Sequence, residues 1–231
     1  MNPLDPNVQQ LQIVAGALQG LREKLVFVGG CVVGILITDL GRPPVRATQD
    51  VDLVAEIASK AEYYAIAADL RRLGFQVDPG DEVICRWRYG NLKVDVMASR
   101  EGVLNFTNRW YADAIEASVD AQLPDRTSIR LITAPYFIAT KLEAFYDRGH
   151  GDYMSHDIED IVNVIDGREE IIRDISAIEA SAVAAYLRAE VEDLISDPRF
   201  LQSLPSHFQP NAVEQQRIPL LLARLREIAG L

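Results

Sequence analysis

Two aspartates separated by one residue, Asp50 and Asp52, form the pattern in this sequence with the clearest chemical meaning. Side chains alternate across a β-strand, so both carboxylates point to one face while Val51 and Leu53 point into the core. Bound divalent cations would offset the repulsion between the two acids, and hard oxygen ligands suit Mg²⁺, which also takes substrate phosphates as ligands. The alternative, which is the commoner setting of an isolated acid pair, is a solvated strand face.

A third acid, Asp95, lies on a later predicted strand whose aliphatic residues Val94 and Val96 share the opposite face. If this strand pairs near the first one, three carboxylates converge. In two-metal phosphoryl transfer one ion helps to activate the attacking oxygen, and the other holds the triphosphate and stabilises the leaving group. Asp95 is then the candidate general base or a ligand of the first ion.

A pair of glycines, Gly29-Gly30, lies between the predicted buried strand 25–28 and a predicted helix over 31–39. Without Cβ atoms, backbone N–H groups there can approach a phosphate at the positive end of the helix. The alternative is a tight turn with no ligand.

These residues need a scaffold, and the hydrophobic periodicity changes along the chain. The first half alternates strands and helices, with predicted strands at 25–28, 50–54, 83–89 and 92–97 and helices at 11–25, 31–39 and 61–73. From Thr133 onward the pattern is helical, over 135–146, 157–165 and 169–195. We therefore predict an α+β fold with an N-terminal mixed-sheet core, residues 1–130, and a C-terminal helical lobe, residues 131–231.

Three basic residues raise separate questions. Arg86 and Arg88 alternate with Trp87 on a predicted strand, where a solvated face is favoured over a substrate-facing one. Lys141 lies inside the apolar arc of the helix over 135–146. It either extends along that arc to reach solvent or neutralises a bound phosphate.

Composition limits the possible settings and partners. The formal net charge of −11 disfavours general attraction to nucleic-acid backbones, so such a partner needs a local basic patch. No apolar stretch approaches the roughly 20 residues of a membrane span, and no secretory signal is evident, so we expect a cytoplasmic protein. The two cysteines, Cys31 and Cys85, do not form a zinc-binding pattern with histidine.

Together, the segments 28–31, 46–53 and 93–96 resemble the nucleotidyltransferase superfamily related to DNA polymerase β. The resemblance implies that Gly29 and Gly30 hold a triphosphate, and that Asp50, Asp52 and Asp95 bind two Mg²⁺ ions. Thr48 matches a Ser or Thr common two residues before the first acid. Two features depart from the pattern: Cys31 replaces a common Ser, and the gap from Gly30 to Asp50 is long.

A second block, Lys141 to Arg148 followed by Ser155 to Asp160, resembles the AbiEii-type nucleotidyltransferases, toxins of abortive-infection and toxin–antitoxin systems. The resemblance implies roles for Lys141, Arg148, Asp157 and Asp160. The helical pattern places Asp157 at the edge of a buried face and Asp160 almost opposite that face, so Asp157 is the stronger candidate. Asp157 also suits the N-terminus of a helix that Ser155 would cap.

The leading interpretation is an enzyme that transfers a nucleotidyl group from a nucleoside triphosphate to an acceptor. The resemblance implies an RNA acceptor, such as a tRNA 3′ end, together with growth inhibition and an antitoxin partner. Because the acidic composition is in tension with RNA, a small-molecule acceptor, as in antibiotic nucleotidyltransferases, is the alternative within the enzyme class. A catalytically inert nucleotide-binding module is the alternative outside it.

Overall fold

The structure, a computed structural model, describes residues 5–57, 59–77, 85–100, 102–104, 107–148 and 151–231. The chain divides into two compact units. One, the sheet unit, contains Pro44–Thr133 and the preceding segment that ends at Gly34. The other, the helical unit, contains Ile35–Pro43 and Ala134–Leu231.

A seven-stranded mixed sheet forms the centre of the sheet unit, with strand order β3-β4-β5-β2-β1-β7-β6. The strands are β1 (Leu25–Val28), β2 (Asp50–Ala55), β3 (Gln76–Val77), β4 (Arg86–Tyr89), β5 (Leu92–Ala98), β6 (Val119–Gln122) and β7 (Ser128–Leu131). β2 pairs with β5 and β1 pairs with β7 in parallel, whereas the remaining pairs are antiparallel. The start of β4 that the sequence predicts, at Val83, lies outside the described residues.

The helices near the sheet include the one predicted over 11–25, which ends at Leu18 and is followed by a 3₁₀ turn. They are α1 (Val8–Leu18), α2 (Val33–Leu36), α3 (Lys60–Arg72) and α4 (Tyr111–Glu116), with 3₁₀ turns at Gln19–Lys24 and Gly30–Val32. α1 buries Leu11, Val14 and Leu18, which share one helical face. At the start of α3, the Ser59 side chain accepts a hydrogen bond from the Glu62 amide.

The helix predicted over residues 31–39 is shorter than expected. Residues Gly30–Val32 form a 3₁₀ turn, and α2 spans only Val33–Leu36. The amides of Thr38 and Asp39 donate to the Gly167 carbonyl, at 3.1 and 2.9 Å, instead of continuing the helical ladder. These bonds attach the chain after α2 to the helical unit.

The helical unit contains the remaining helices. They are α5 (Ala134–Arg148), α6 (His156–Gly167), α7 (Ile171–Ser176), α8 (Ala182–Ser196), α9 (Pro198–Ser203), α10 (Ala212–Gln215) and α11 (Ile218–Ala229), with a 3₁₀ turn at Leu204–His207. The single helix predicted over 169–195 is two helices, because Ser181 caps the start of α8 through the Ala184 amide. The predicted α+β class, with a mixed sheet and helices in the second half, is confirmed.

A buried ionic cluster fixes the segment Ile35–Pro43 within the helical unit. Arg42 lies 3.0 Å from Asp166 and 2.8 Å from Glu214, and it donates to Asn163. Arg217 joins the cluster by bridging Asp166 and Asp39.

Among the described residues, no helix is both long and apolar enough to cross a membrane.

Candidate active site

Three carboxylates meet on one face of the sheet. The parallel register of β2 and β5 places Asp52 beside Asp95 and Asp50 beside Lys93. One oxygen atom from each of Asp50, Asp52 and Asp95 lies within 4.8 Å of the others, so this group, the acid triad, can hold a metal ion. The expectation that Asp95 joins the pair if its strand lies nearby is confirmed.

The burial pattern follows from strand alternation. Val51 and Leu53 are fully buried on the core side of β2, whereas Asp50 and Asp52 are partly exposed on the other side. Asp95 is more deeply placed, with 7% of its surface exposed. The triad therefore combines two accessible carboxylates with one that the protein shields.

Arg86 binds the triad directly, and here the sequence-based preference for a solvated face was wrong. Its Nε and Nη2 atoms donate to the two oxygens of Asp95, at 2.8 and 2.6 Å, and Nη2 lies 3.6 Å from Asp50. The antiparallel register of β4 and β5 places Arg86 opposite Asp95. Counting outward from the Gly90-Asn91 hairpin turn would have revealed this pair.

Gly29 lies against Asp52 because it directly follows Val28, which pairs with Asp52 across β1 and β2. Its φ of 70° and ψ of −169° belong to a region that is almost restricted to glycine. A Cβ atom at this position would lie 1.8 Å from Oδ2 of Asp52. Gly30 is buried at the start of the 3₁₀ turn, and the Cys31 thiol donates to the Val28 carbonyl at 3.2 Å.

The loop that leads into β2 is held by a buried asparagine that the sequence reasoning did not consider. Asn7 is fully buried, donates to the Arg46 carbonyl at 3.0 Å and accepts from the Thr48 amide at 2.8 Å. The Thr48 hydroxyl donates to the Asp50 carbonyl at 3.1 Å. No motif marked Asn7, because its partners are backbone groups about 40 positions away.

The electrostatic field of the triad also affects a neighbouring thiol. Burial, and then the negative charges of Asp95 and Asp52, raise the pKa of Cys85 to about 12. Cys85 is therefore a neutral thiol at physiological pH and not a reactive thiolate.

A second charged cluster lies in the helical unit and contains the four residues for which the second sequence block implies roles. Lys141 Nζ lies 3.0 Å from Asp157 and 2.8 Å from Asp160. Arg148 donates to both oxygens of Asp157, at 3.2 and 3.1 Å. We call these four residues the lysine cluster.

The burial of the lysine cluster corrects two expectations. The Lys141 side chain is only 10% exposed, so it does not extend along the helix to solvent. Asp160, expected opposite the buried face, is 2% exposed and is more buried than Asp157. The reason is that α6 is buried around almost its whole circumference, which single-helix periodicity does not reveal.

Ion pairing outweighs burial in this cluster. Burial opposes the charge on Lys141, but the adjacent Asp160 and Asp157 carboxylates raise its pKa. Burial likewise opposes the charge on Asp157, yet Lys141 and Arg148 hold its pKa below the ordinary value. Lys141 and Asp157 are therefore both charged at neutral pH.

Two solved structures are similar to this chain, and the first of them shares its fold. An antigenic nucleotidyltransferase-like protein from Paracoccidioides brasiliensis is 19% identical, with a TM-score of 0.50 over 84% of this chain and 93% of that one. The ANT(2″)-Ia enzyme in complex with adenylyl-2″-tobramycin is 17% identical, with a TM-score of 0.46 over 68% of this chain and 86% of that one. No curated protein matches the sequence.

The family comparison covers nearly the whole chain. Residues 12–227 match the family described as "Nucleotidyl transferase AbiEii toxin, Type IV TA system". The match includes both the acid triad and the lysine cluster. The chain belongs to the AbiEii nucleotidyltransferase family and is a nucleotidyltransferase.

Proposed function

We propose that the chain catalyses Mg²⁺-dependent transfer of a nucleotidyl group from a nucleoside triphosphate to an acceptor hydroxyl, with the acid triad as its metal site. The observation that carries this proposal is the convergence of Asp50, Asp52 and Asp95 within 4.8 Å on one face of the sheet. Opposed ligands of one Mg²⁺ ion lie about 4.2 Å apart, so the spacing suits cations of this size. Carboxylate oxygens are also the ligand type that Mg²⁺ prefers.

In the proposed reaction the acceptor oxygen forms a bond to the α-phosphorus, and the bond from that phosphorus to the β-phosphate oxygen breaks. Pyrophosphate leaves with the electron pair, and Asp95 takes the proton of the acceptor hydroxyl. Asp50 and Asp52 would hold two Mg²⁺ ions, with Asp95 as a further ligand. When bound, such ions supply charge stabilisation for the attacking and leaving oxygens.

The remaining site residues are proposed to bind the triphosphate or to support its ligands. The backbone of Gly29 lies next to Asp52 and leads into Gly30, and Thr48 fixes the start of the strand that carries both acids. Lys141 and Arg148 are the proposed phosphate cations of the helical unit. Asp157 and Asp160 keep Lys141 charged and oriented.

The proposed acceptor is RNA, at a tRNA 3′ end, in a cytoplasmic toxin–antitoxin or abortive-infection setting with an antitoxin partner. The family description, which names a toxin of a type IV system, supports this setting. A small-molecule acceptor is the second candidate, because a net charge of −11 does not favour a polyanion. An inert binding module is disfavoured, since a binding role alone would not require three converging acids.

The test incubates the protein with Mg²⁺, each nucleoside triphosphate labelled at the α-phosphate, and either total RNA or a mixture of small hydroxylated acceptors. Label in tRNA that is lost in Asp50→Ala supports the RNA acceptor, whereas label only in small acceptors supports the second candidate. Asp120→Ala, at an exposed aspartate on the edge strand β6, is the matched control. If wild type neither labels an acceptor nor binds a triphosphate, the proposed function is wrong.

A further inference from the structure

Arg86 is a cation in direct contact with the acid triad. Its guanidinium forms a bidentate ion pair with Asp95, which we call the fork. It also lies 3.6 Å from Asp50. The Arg86 side chain is 17% exposed and that of Asp95 is 11% exposed, so water screens this pair only in part. Such a fork holds a carboxylate in a defined plane.

We propose that Arg86 is a positioning residue of the nucleotidyl-transfer site, which orients Asp95 and weakens the binding of free divalent cations to the triad. This inference rests on the proposed function, because it assigns the triad to a metal. Arg86 is not itself one of the proposed metal ligands, which are Asp50, Asp52 and Asp95.

The orientation role follows from the number of lone pairs on a carboxylate. An ionised carboxylate offers about four acceptor positions on its two oxygens. The fork from Arg86 uses one position on each oxygen and leaves one on each for a cation or for the acceptor proton. Arg86 thus fixes the direction of the remaining lone pairs without blocking them.

The charge role follows from Coulomb's law. Three carboxylates within 4.8 Å repel one another, and the positive charge of Arg86 offsets part of that repulsion when no metal is bound. A divalent cation entering the triad meets the same positive charge at short range. Removing that charge should strengthen binding of the free cation by roughly tenfold.

Three variants separate these two roles. Arg86→Gln removes the charge and the fork, whereas Arg86→Lys keeps the charge and removes the fork. Arg88→Gln is the matched control. Arg88 lies two residues along the same strand, and in the strand register it lies opposite Lys93, not opposite Asp95. Circular dichroism and thermal unfolding establish that each variant is folded.

The primary measurement is Mn²⁺ binding to the protein without nucleotide, followed by electron paramagnetic resonance. Arg86→Gln is expected to bind Mn²⁺ about tenfold more tightly than wild type, and both Arg86→Lys and Arg88→Gln to stay within about threefold. Nucleotidyl transfer at saturating Mg²⁺ is expected to fall about tenfold or more in both Arg86 variants, because both lose the fork. A purely structural residue would instead lower metal affinity and transfer together.

Unchanged or weaker Mn²⁺ binding by folded Arg86→Gln overturns the charge role, and undiminished transfer by Arg86→Lys overturns the orientation role. Either failure leaves the proposed function intact if Asp50→Ala still abolishes labelling. If wild type and Arg86→Gln both fail to bind Mn²⁺, the metal site and this inference are both wrong. Binding by Arg86→Gln alone supports the inference.

Discussion

The Asp52 carboxylate lies so close to Gly29 that position 29 has no room for a side chain. A Cβ atom on Gly29 would lie 1.8 Å from Oδ2 of Asp52, a separation that no real contact allows. The cause is the pairing of Val28 with Asp52, which brings the next residue over the carboxylate. The glycine turn and the acid triad are therefore one structural unit.

Gly29→Ala should both destabilise the protein and displace Asp52. The backbone conformation of Gly29 alone costs alanine about 1–3 kcal/mol, and the clash adds to that. We expect the free energy of unfolding to fall by about 3 kcal/mol or more, with nearly complete loss of transfer. Urea unfolding and the labelling assay measure the two effects.

Gly102→Ala is the control for Gly29→Ala. Gly102 also has a positive φ, 79°, but apart from its chain neighbours no residue that the structure describes has an atom within 4 Å of its hypothetical Cβ. It should lose only about 1 kcal/mol and keep its activity. Equal losses in both variants would show that backbone strain, and not contact with Asp52, explains the effect.

Asn7→Ala should impair the site without removing any proposed metal ligand. It leaves the Thr48 amide and the Arg46 carbonyl without their buried partner, at a cost of about 1–3 kcal/mol. Thr48→Val removes only hydroxyl hydrogen bonds and should cost about 1 kcal/mol. Denaturant unfolding compares the variants, and a larger loss in Thr48→Val would contradict the assigned role of Asn7.

Strand alternation predicts the face on which each acid of the triad lies but not the partner of Arg86. Alternation along β2 and β5 gave the correct faces for Asp50, Asp52 and Asp95, because it depends only on strand geometry. The partner of Arg86 follows instead from the pairing of β4 with β5, whose register the Gly90-Asn91 hairpin turn sets. Asn7 left no local signal at all, since both of its backbone partners are remote in sequence.

Helix boundaries show the same limit. The apolar spacing predicted α5 and α6 well, since a long helix repeats its pattern several times. It joined α7 and α8 into one helix because the apolar spacing continues across the break at Ser181. It also extended the helix after Gly30 beyond Leu36, where hydrogen bonds to Gly167 determine the path.

Lys141→Met should destabilise the helical unit strongly. It leaves Asp157 and Asp160 buried without their shared cation, and removal of one partner from a buried pair costs about 3–5 kcal/mol. Adding Asp160→Asn to Lys141→Met should recover part of that loss in urea unfolding, because it removes one of the two charges.

Arg148→Met is the matched control on the same helix. Its side chain is 69% exposed, so its pair with Asp157 should contribute at most about 1 kcal/mol. If Arg148→Met proves as destabilising as Lys141→Met, burial does not determine the energetics of the lysine cluster.

Stability should depend on the charge of Asp157 in acid. Its folded pKa is held below the ordinary 3.8, so the ionised form stabilises the folded state at any pH above that value. The stabilisation is lost as the pH falls through the folded pKa. The difference in unfolding free energy between wild type and Asp157→Asn should stay constant from about pH 8 to 5 and shrink below about pH 4.

Urea unfolding across this pH range measures the difference directly. Lys141, whose pKa is raised above 10.5, should lose its contribution only in strong alkali, so it does not interfere near neutrality. A difference that instead shrinks as the pH rises from 5 to 8 would contradict the charge assignment of Asp157.

The most direct test of nucleotidyl transfer at the acid triad follows both ends of the triphosphate. Parallel reactions use a nucleoside triphosphate labelled at the α- or the γ-phosphate. The acceptor is the one that becomes labelled in the assay with total RNA and small hydroxylated molecules. We expect α-label on the acceptor and γ-label in pyrophosphate. Both should be lost in Asp50→Asn, although this folded variant should unfold at a temperature no lower than wild type. Label from the γ-phosphate on the acceptor, or transfer that survives Asp50→Asn, would contradict it.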